Sequence, residues 1–274
     1  MLRKVLLTGS VLALSSLAMA DGLQSAASSA AISSNRANEG RYFYVAQNYQ
    51  ELAAVPSFTM SAPAGLVPGW GVVFGGVSGT HNSVENTDGA LGFGLGYGNP
   101  YESLGGAVSL SIGSINPDDG GAFNRGDLNL SIGHTFREYG FGVAVGMTGG
   151  ELWHDNNNGH DVDPSFYGAV TKLLPNDVVP VIVTAGLGNN AYADTNDTGD
   201  KKDKVYPFAS VAAYIMPQVS LIADYTSGVT TLGVGIVPSP KLPITITLGA
   251  YDIAKQGNQD TTSFIGSLSA AYAF

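Results

Sequence analysis

Two acidic stretches hold the residue types best suited to metal chemistry. HDNNNGHDVDP brings together Asp155, Asn157, Asp161 and Asp163. DTNDTGDKKD places Asp194, Asn196 and Thr198 at the first, third and fifth positions of a calcium loop, with Gly199 at the sixth. The twelfth position, where a bidentate Glu sets the affinity, is Val205. The match stops where it matters, so solvated loops are the expectation, with no resident metal or other cofactor. Hydrolysis needs a nucleophile and a base. His154 and Ser165 form the pairing nearest a segment end, where lipid heads are within reach. They lie in a loop with no spacing that orients one toward the other, and no HExxH is present. The chain reads as a non-enzyme. GFGLGYG, for all its glycines, alternates strictly and therefore reads as a strand, not a phosphate loop.

A third set could handle solutes. Ser109, Ser111, Asn129, Ser131, Asp224, Thr245, Thr247 and Ser269 each fall between apolar neighbours two residues apart, and Ser267 falls between Gly266 and Leu268. Successive strand side chains point to opposite faces. These small polar groups, with Gly75, Gly92, Gly94 and Gly96, therefore share one face, and Leu, Ile, Val and Phe the other. Such a face either lines a narrow lumen, watered or plugged, or lets a flattened barrel collapse on itself. Its clear charge is Asp224, with Lys172 as a second candidate, which predicts weak ion selectivity.

The elements that must carry these side chains are alternating segments at about residues 70–77, 90–97, 107–112, 128–136, 141–147, 166–173, 178–187, 205–215, 219–225, 232–237, 244–251 and 262–274. That is about twelve strands; 10–14 fit the pattern, and an even number suits a closed antiparallel barrel. Segments 178–187 and 205–215 are apolar on both parities, which leaves their facing open. A secreted two-sheet sandwich also alternates, so connector length decides. Connections at 98–104, 137–140, 175–177, 216–218 and 238–243 are short. Those at 78–89, 116–126, 154–165, 188–204 and 254–261 are long and polar, and only Ser227-Gly228 breaks the rule. Short turns alternating with long loops predict an all-β, up-and-down transmembrane barrel with both ends on the short-turn, periplasmic side. Trp70, Tyr97, Phe136 and Phe141 then form the aromatic girdle on that side, and Trp153, Tyr225 and Phe264 the outer one.

The totals agree. Of 274 residues, 44% are hydrophobic but only 12% charged, about half the charged share of ordinary soluble domains. Beyond the first 20 residues no apolar run is long enough for a membrane helix. A net charge of −10 argues against nucleic acid as a partner. Residues 1–20 read as a signal peptide, with Arg3 and Lys4, an apolar stretch, and cleavage after Ala20 in Ala-Met-Ala. Residues 21–68 read as a periplasmic N-terminal linker or plug, and 69–274 as the barrel. Within the former, RYFYVAQNYQELAAV suggests a short helix through Ala54. It would rest inside the lumen, lie across the periplasmic mouth, or simply lead into the first strand.

TSFIGSLSAAYAF, with Phe264, Leu268, Tyr272 and Phe274 on one parity, resembles the C-terminal strand of bacterial outer-membrane β-barrels. In that family Tyr272 and Phe274 would form the assembly signal read by the barrel-assembly machinery. DGALGFGLGYGNPYESLGGAVSL and ADYTSGVTTLGVGIVPSPKLPITITLGAYDI extend the likeness to a group of uncharacterised porin-like barrels, over about residues 70–274. The resemblance implies the bacterial outer membrane, with its lipids as surroundings and small solutes as candidate cargo. Two functions follow as expectations. One is a channel for passive diffusion of small neutral or weakly charged solutes. The other is a non-conducting structural or surface-interaction barrel acting through its acidic loops.

Overall fold

A computed structural model describes residues 52–81, 87–113, 115, 122–154, 163–174, 178–257 and 261–274. Among these, twelve strands follow one another: β1 (Val72–His81), β2 (Asp88–Gly98), β3 (Gly105–Gly113), β4 (Arg125–Phe136), β5 (Phe141–His154) and β6 (Ser165–Leu174). They continue with β7 (Val181–Gly188), β8 (Tyr206–Met216), β9 (Val219–Thr226), β10 (Val229–Ile236), β11 (Ile244–Tyr251) and β12 (Ser263–Ala273). Each strand pairs antiparallel with its chain neighbours, and β1 pairs with β12 to close the barrel. Closure leaves no unpaired sheet edge, which is the condition for putting strands into lipid.

The alternation in the sequence becomes two surfaces. Val73, Val77, Phe93, Leu95, Val145, Val170, Leu221, Leu232, Leu248 and Leu268 are exposed on the outside. A soluble protein does not leave so continuous an apolar band in water; here lipid covers it. Trp70, Trp153, Tyr225 and Phe264 are exposed as well, and Phe136 stacks on Phe141 with ring centroids 4.6 Å apart. Gly75 belongs to this outer face, on the parity of Val73 and Val77; Val72 and Phe74 point inward and are buried. The expectation of an inward Gly75 is corrected: with a valine on either side, the larger side chains set the facing. Ser227 and Gly228, the short connection among long ones, take φ of 58° and 80°. Those values make the two-residue turn whose twist matches its flanking strands.

Residues 52–69 form neither strand nor helix and run inside the barrel. Val55, Phe58, Ala62, Ala64 and Val67 are wholly buried. Leu52, Val55, Phe58, Met60, Ala64 and Leu66 make one apolar cluster with Leu173, Ile182, Ala212, Tyr214 and Ile222 of the wall. That cluster settles the facing of β7 and β8: Ile182, Phe208, Ala212 and Tyr214 turn inward onto this segment, and Val211 and Ile215 outward. The helix expected through Ala54 lies outside the described residues except for 52–54, which are not helical. The signal-peptide expectation also lies outside them.

Candidate functional site

The lumen is the site, and its own chain occupies it. The segment enters at the short-turn end, where the Ala53 amide donates to the Pro240 carbonyl at 2.7 Å. It climbs along β8–β11. Thr245 Oγ1 donates to the Val55 carbonyl at 3.3 Å, and the Tyr214 hydroxyl to that of Pro56 at 3.0 Å. Ser57 Oγ meets Thr247 Oγ1 at 2.6 Å, and its carbonyl accepts from Ser220 Oγ. Ser210 Oγ donates to the Phe58 carbonyl at 3.0 Å. A segment without secondary structure must satisfy its backbone some other way when it leaves water. Here the inward hydroxyls of the wall do so.

The top of the climb is a single contact. One oxygen of Asp224, Oδ2, accepts the amides of Met60, Ser61 and Ala62 at 2.7, 2.8 and 3.2 Å. Three successive backbone N–H groups converging on an anion make a nest, and each bond is charge-assisted. The chain then descends on the far side. The Gly65 amide donates to Thr171 Oγ1 at 2.8 Å, which in turn meets Thr184 Oγ1 at 2.8 Å. Backbone touches backbone here: a Cβ on Gly65 would lie 2.5 Å from the Gly142 carbonyl oxygen, and one on Gly142 would lie 2.6 Å from that of Gly65. The Met60 sulfur occupies the space that side chains at Gly233 and Gly249 would fill. The segment leaves beside β2, the Trp70 amide donating to Gly98 at 2.8 Å.

All nine residues expected to line the lumen lie on the inward parity, and all but Ser267 are buried. Asp224, Thr245 and Thr247 touch residues 52–69 or lie directly beneath them. Asn129 instead bridges Ser111 Oγ at 2.7 Å and the Gly149 amide at 3.0 Å. Ser109 and Ser131 sit on the same side, and Ser269 donates to the Thr245 carbonyl at 3.5 Å.

Charge is distributed differently from the expectation. Lys172 points outward, and its ammonium donates to the Tyr139 carbonyl. Asp88, Arg125 and Asp127 are buried on the inner face, with Arg125 Nε 3.3 Å from Asp127 Oδ2. Asp127 opposes Glu151, which pairs with His154. Extending the Leu128–Ile132 alternation three residues upstream would have found Arg125 and Asp127. A plug is one of the readings the sequence offers for residues 21–68, but no period in residues 52–69 says which wall residues they meet.

The long loop of residues 189–205 folds over the other end. Tyr192, wholly buried, packs on Tyr167, Phe208 and Ala62. The Ala191 amide donates to Ser165 Oγ at 3.1 Å, and Ser227 Oγ donates to the Ala191 carbonyl at 2.8 Å. Further out, Lys202 pairs with Asp163. Asp197 takes Lys204, the Tyr206 hydroxyl and the Gly199 amide, which together hold its carboxyl well below the usual carboxylate range. The calcium-loop candidates Asp194 and Asn196 stitch this cap together. Asp194 Oδ1 accepts the Asn196 amide at 2.8 Å, and Asn196 Nδ2 donates to the Gln256 carbonyl at 2.6 Å. Asp155, Asn157 and Asp161 lie outside the described residues, among which no group of three metal-ligating side chains forms. His154 engages Glu151 and Ser165 engages Ala191, so the pairing considered for hydrolysis is divided between different partners.

No protein-family description matches the chain, and no curated protein does. Among solved structures, the NanC porin is similar at 10% identity and a TM-score of 0.44, over 73% of this chain and 99% of that one. An outer membrane channel from Pseudomonas putida is similar at 12% identity and 0.45, over 74% and 96%. Outer membrane phospholipase A from Escherichia coli is similar at 12% identity and 0.43, over 72% and 92%. At these values a likeness assigns no activity, and the site is read from its own residues.

Proposed function

We propose that this chain is an outer-membrane channel for small neutral or weakly charged solutes, closed at rest by its residues 52–69. The observation that carries the reading is the chemistry of the wall behind the plug. Thr171, Ser210, Ser220, Asp224, Thr245 and Thr247 are polar groups that water would wet if the plug left. A barrel evolved only to be solid would gain more from apolar side chains there, since each buried polar group must find a partner. Several have none: Thr59 and Ser61 on the plug, and Thr226 and Tyr251 on the wall, bury hydroxyls without a hydrogen bond among the described residues. Each such group costs on the order of 1–3 kcal/mol until it is hydrated. For Thr59 and Ser61 on the plug, release into water would remove that cost. The signal-peptide reading of residues 1–20, the closing strand and the placement of both described ends at the short-turn side support the outer-membrane address.

The second reading, a non-conducting structural or surface-interaction barrel, draws on the tight apolar fit of Val55, Phe58, Leu66 and Val67. Bilayer recordings separate the two. The full-length protein should be mostly silent, and a Phe58→Ser/Leu66→Ser variant, which weakens the apolar anchors, should give sustained conductance. Silence of that variant, with its barrel folded by circular dichroism, would establish the second reading instead.

A further inference from the structure

Very few charges are built into this wall. Among the described strand residues, the acidic ones are Asp88, Asp127, Glu151 and Asp224; the basic ones, histidine aside, are Arg125 and Lys172. Lys172 faces outward. Asp88, Asp127 and Asp224 face inward, as does Arg125, and Glu151 stands opposite Asp127 in the β4–β5 ladder. The inward wall thus holds four carboxylates against one guanidinium. All five lie toward the long-loop ends of their strands: the start of β2, the start of β4, the end of β5 and the upper part of β9. The other half of the inner face carries no charge among the described residues.

Asp224 differs from the others in being held by the backbone of the plug, with Ser210 beside it on the wall. Its Oδ2 is held by the three amides, and its Oδ1, buried within the lumen, has no hydrogen-bond partner among the described residues. When residues 52–69 move away, every one of those three donors leaves with them. The carboxylate stays on the wall with only the neutral Ser210 hydroxyl of the β8–β9 ladder beside it, in a narrow passage whose low-dielectric surroundings strengthen its field. Asp127 keeps Arg125 as a neighbour at 3.3 Å and is largely neutralised. Asp88 faces the lumen from the start of β2, and its Oδ1 accepts the Gly89 amide at 2.7 Å.

We infer that the opened lumen selects cations over anions, with Asp224 as the principal selectivity residue and Asp88 as its support. Asp224 thus has two roles: latch for the plug in the closed barrel, and cation-attracting group in the open one. The inference rests on the channel reading above and names the class of charged solute that such a channel prefers.

The test is a reversal potential in a potassium chloride gradient, on the full-length Phe58→Ser/Leu66→Ser protein. A potassium preference of roughly five-fold or more is expected, about the factor that one carboxylate a few ångströms from an ion gives in a water-filled passage. Adding Asp224→Asn, which keeps the shape and removes the charge, should bring the ratio most of the way to one. Adding Asp88→Asn instead should lower it by less. A reversal potential near zero or of anion sign in the parent variant overturns the inference while leaving the channel reading intact. A cation preference untouched by both substitutions overturns the assignment to Asp224 and Asp88. Absence of conductance in every variant overturns the channel reading, and this inference with it.

Discussion

Asp224 shows how one inward side chain can carry more than a lining role. Three amides on one carboxylate oxygen fix the height at which residues 60–62 sit, and the same residues set Met60 into the gap left by Gly233 and Gly249. Gly142 and Gly65 are the complementary device on the opposite wall, where the two backbones meet without side chains between them. Filling that contact tests the seating directly. Gly142→Val should destabilise the closed barrel by about 1–3 kcal/mol, the usual cost of forcing volume into a packed site. The chain has no cysteine, so an introduced Ala62→Cys gives a clean report. It should react slowly with maleimide in the native protein, since Ala62 is wholly buried, and at least several-fold faster in the Gly142→Val background. Equal rates would show that the contact does not seat the segment.

At the scale of elements, the barrel is closed from both ends by different means. Residues 52–69 rise from the short-turn end, and the 189–205 loop comes down from the other. The two meet at Ala62 and Tyr192 within one apolar cluster. The loop is long because it must reach over the mouth. It is held by Ser165, Asp163, Ser227 and Gln256, residues from three other parts of the barrel rim. The neighbouring β9–β10 turn is short for the complementary reason, since Ser227 itself receives the cap. Tyr192→Ala removes the one aromatic group that ties cap to plug and should cost roughly 3 kcal/mol, as large-to-small changes in a packed core do. Labelling of Ala62→Cys by a membrane-impermeant reagent added on the long-loop side should then accelerate. If it accelerates only from the short-turn side, the loop is not a closure.

For the whole molecule, the decisive contact is the one between the two ends of the barrel. β1 and β12 run in register from Val72 against Ala273 to His81 against Phe264. The Phe274 amide continues the ladder to the Gly71 carbonyl at 2.9 Å, with its ring exposed on the outer face beside Tyr272. Deleting Phe274 removes that bond and an aromatic anchor from the seam, so the yield of folded barrel in membranes should fall. Heat-modifiable migration on gels measures it. A deletion variant that assembles in full yield would show that the seam does not depend on its last residue.

Alternation alone determined the strand set, the two faces of most strands and the order of short and long connections, because a pleated strand has a period of two and lipid demands apolar side chains on one side of it. It also placed Ser109, Ser111, Asn129, Ser131, Asp224, Thr245, Thr247, Ser267 and Ser269 on the inner face. Where both parities were apolar, as in β7 and β8, the pattern was silent, since those strands bury one face in lipid and the other against the plug. What fills the lumen was decided only by the tertiary structure. Residues 52–69 have no period, and the wall side chains that hydrogen-bond them lie 106–190 residues away in the chain. A small side chain on the inner wall is the same signal whether it faces water or a backbone. The distinction lies in what has folded in beside it, and at Gly142, Asp224 and Thr247 that neighbour is the chain's own N-terminal segment.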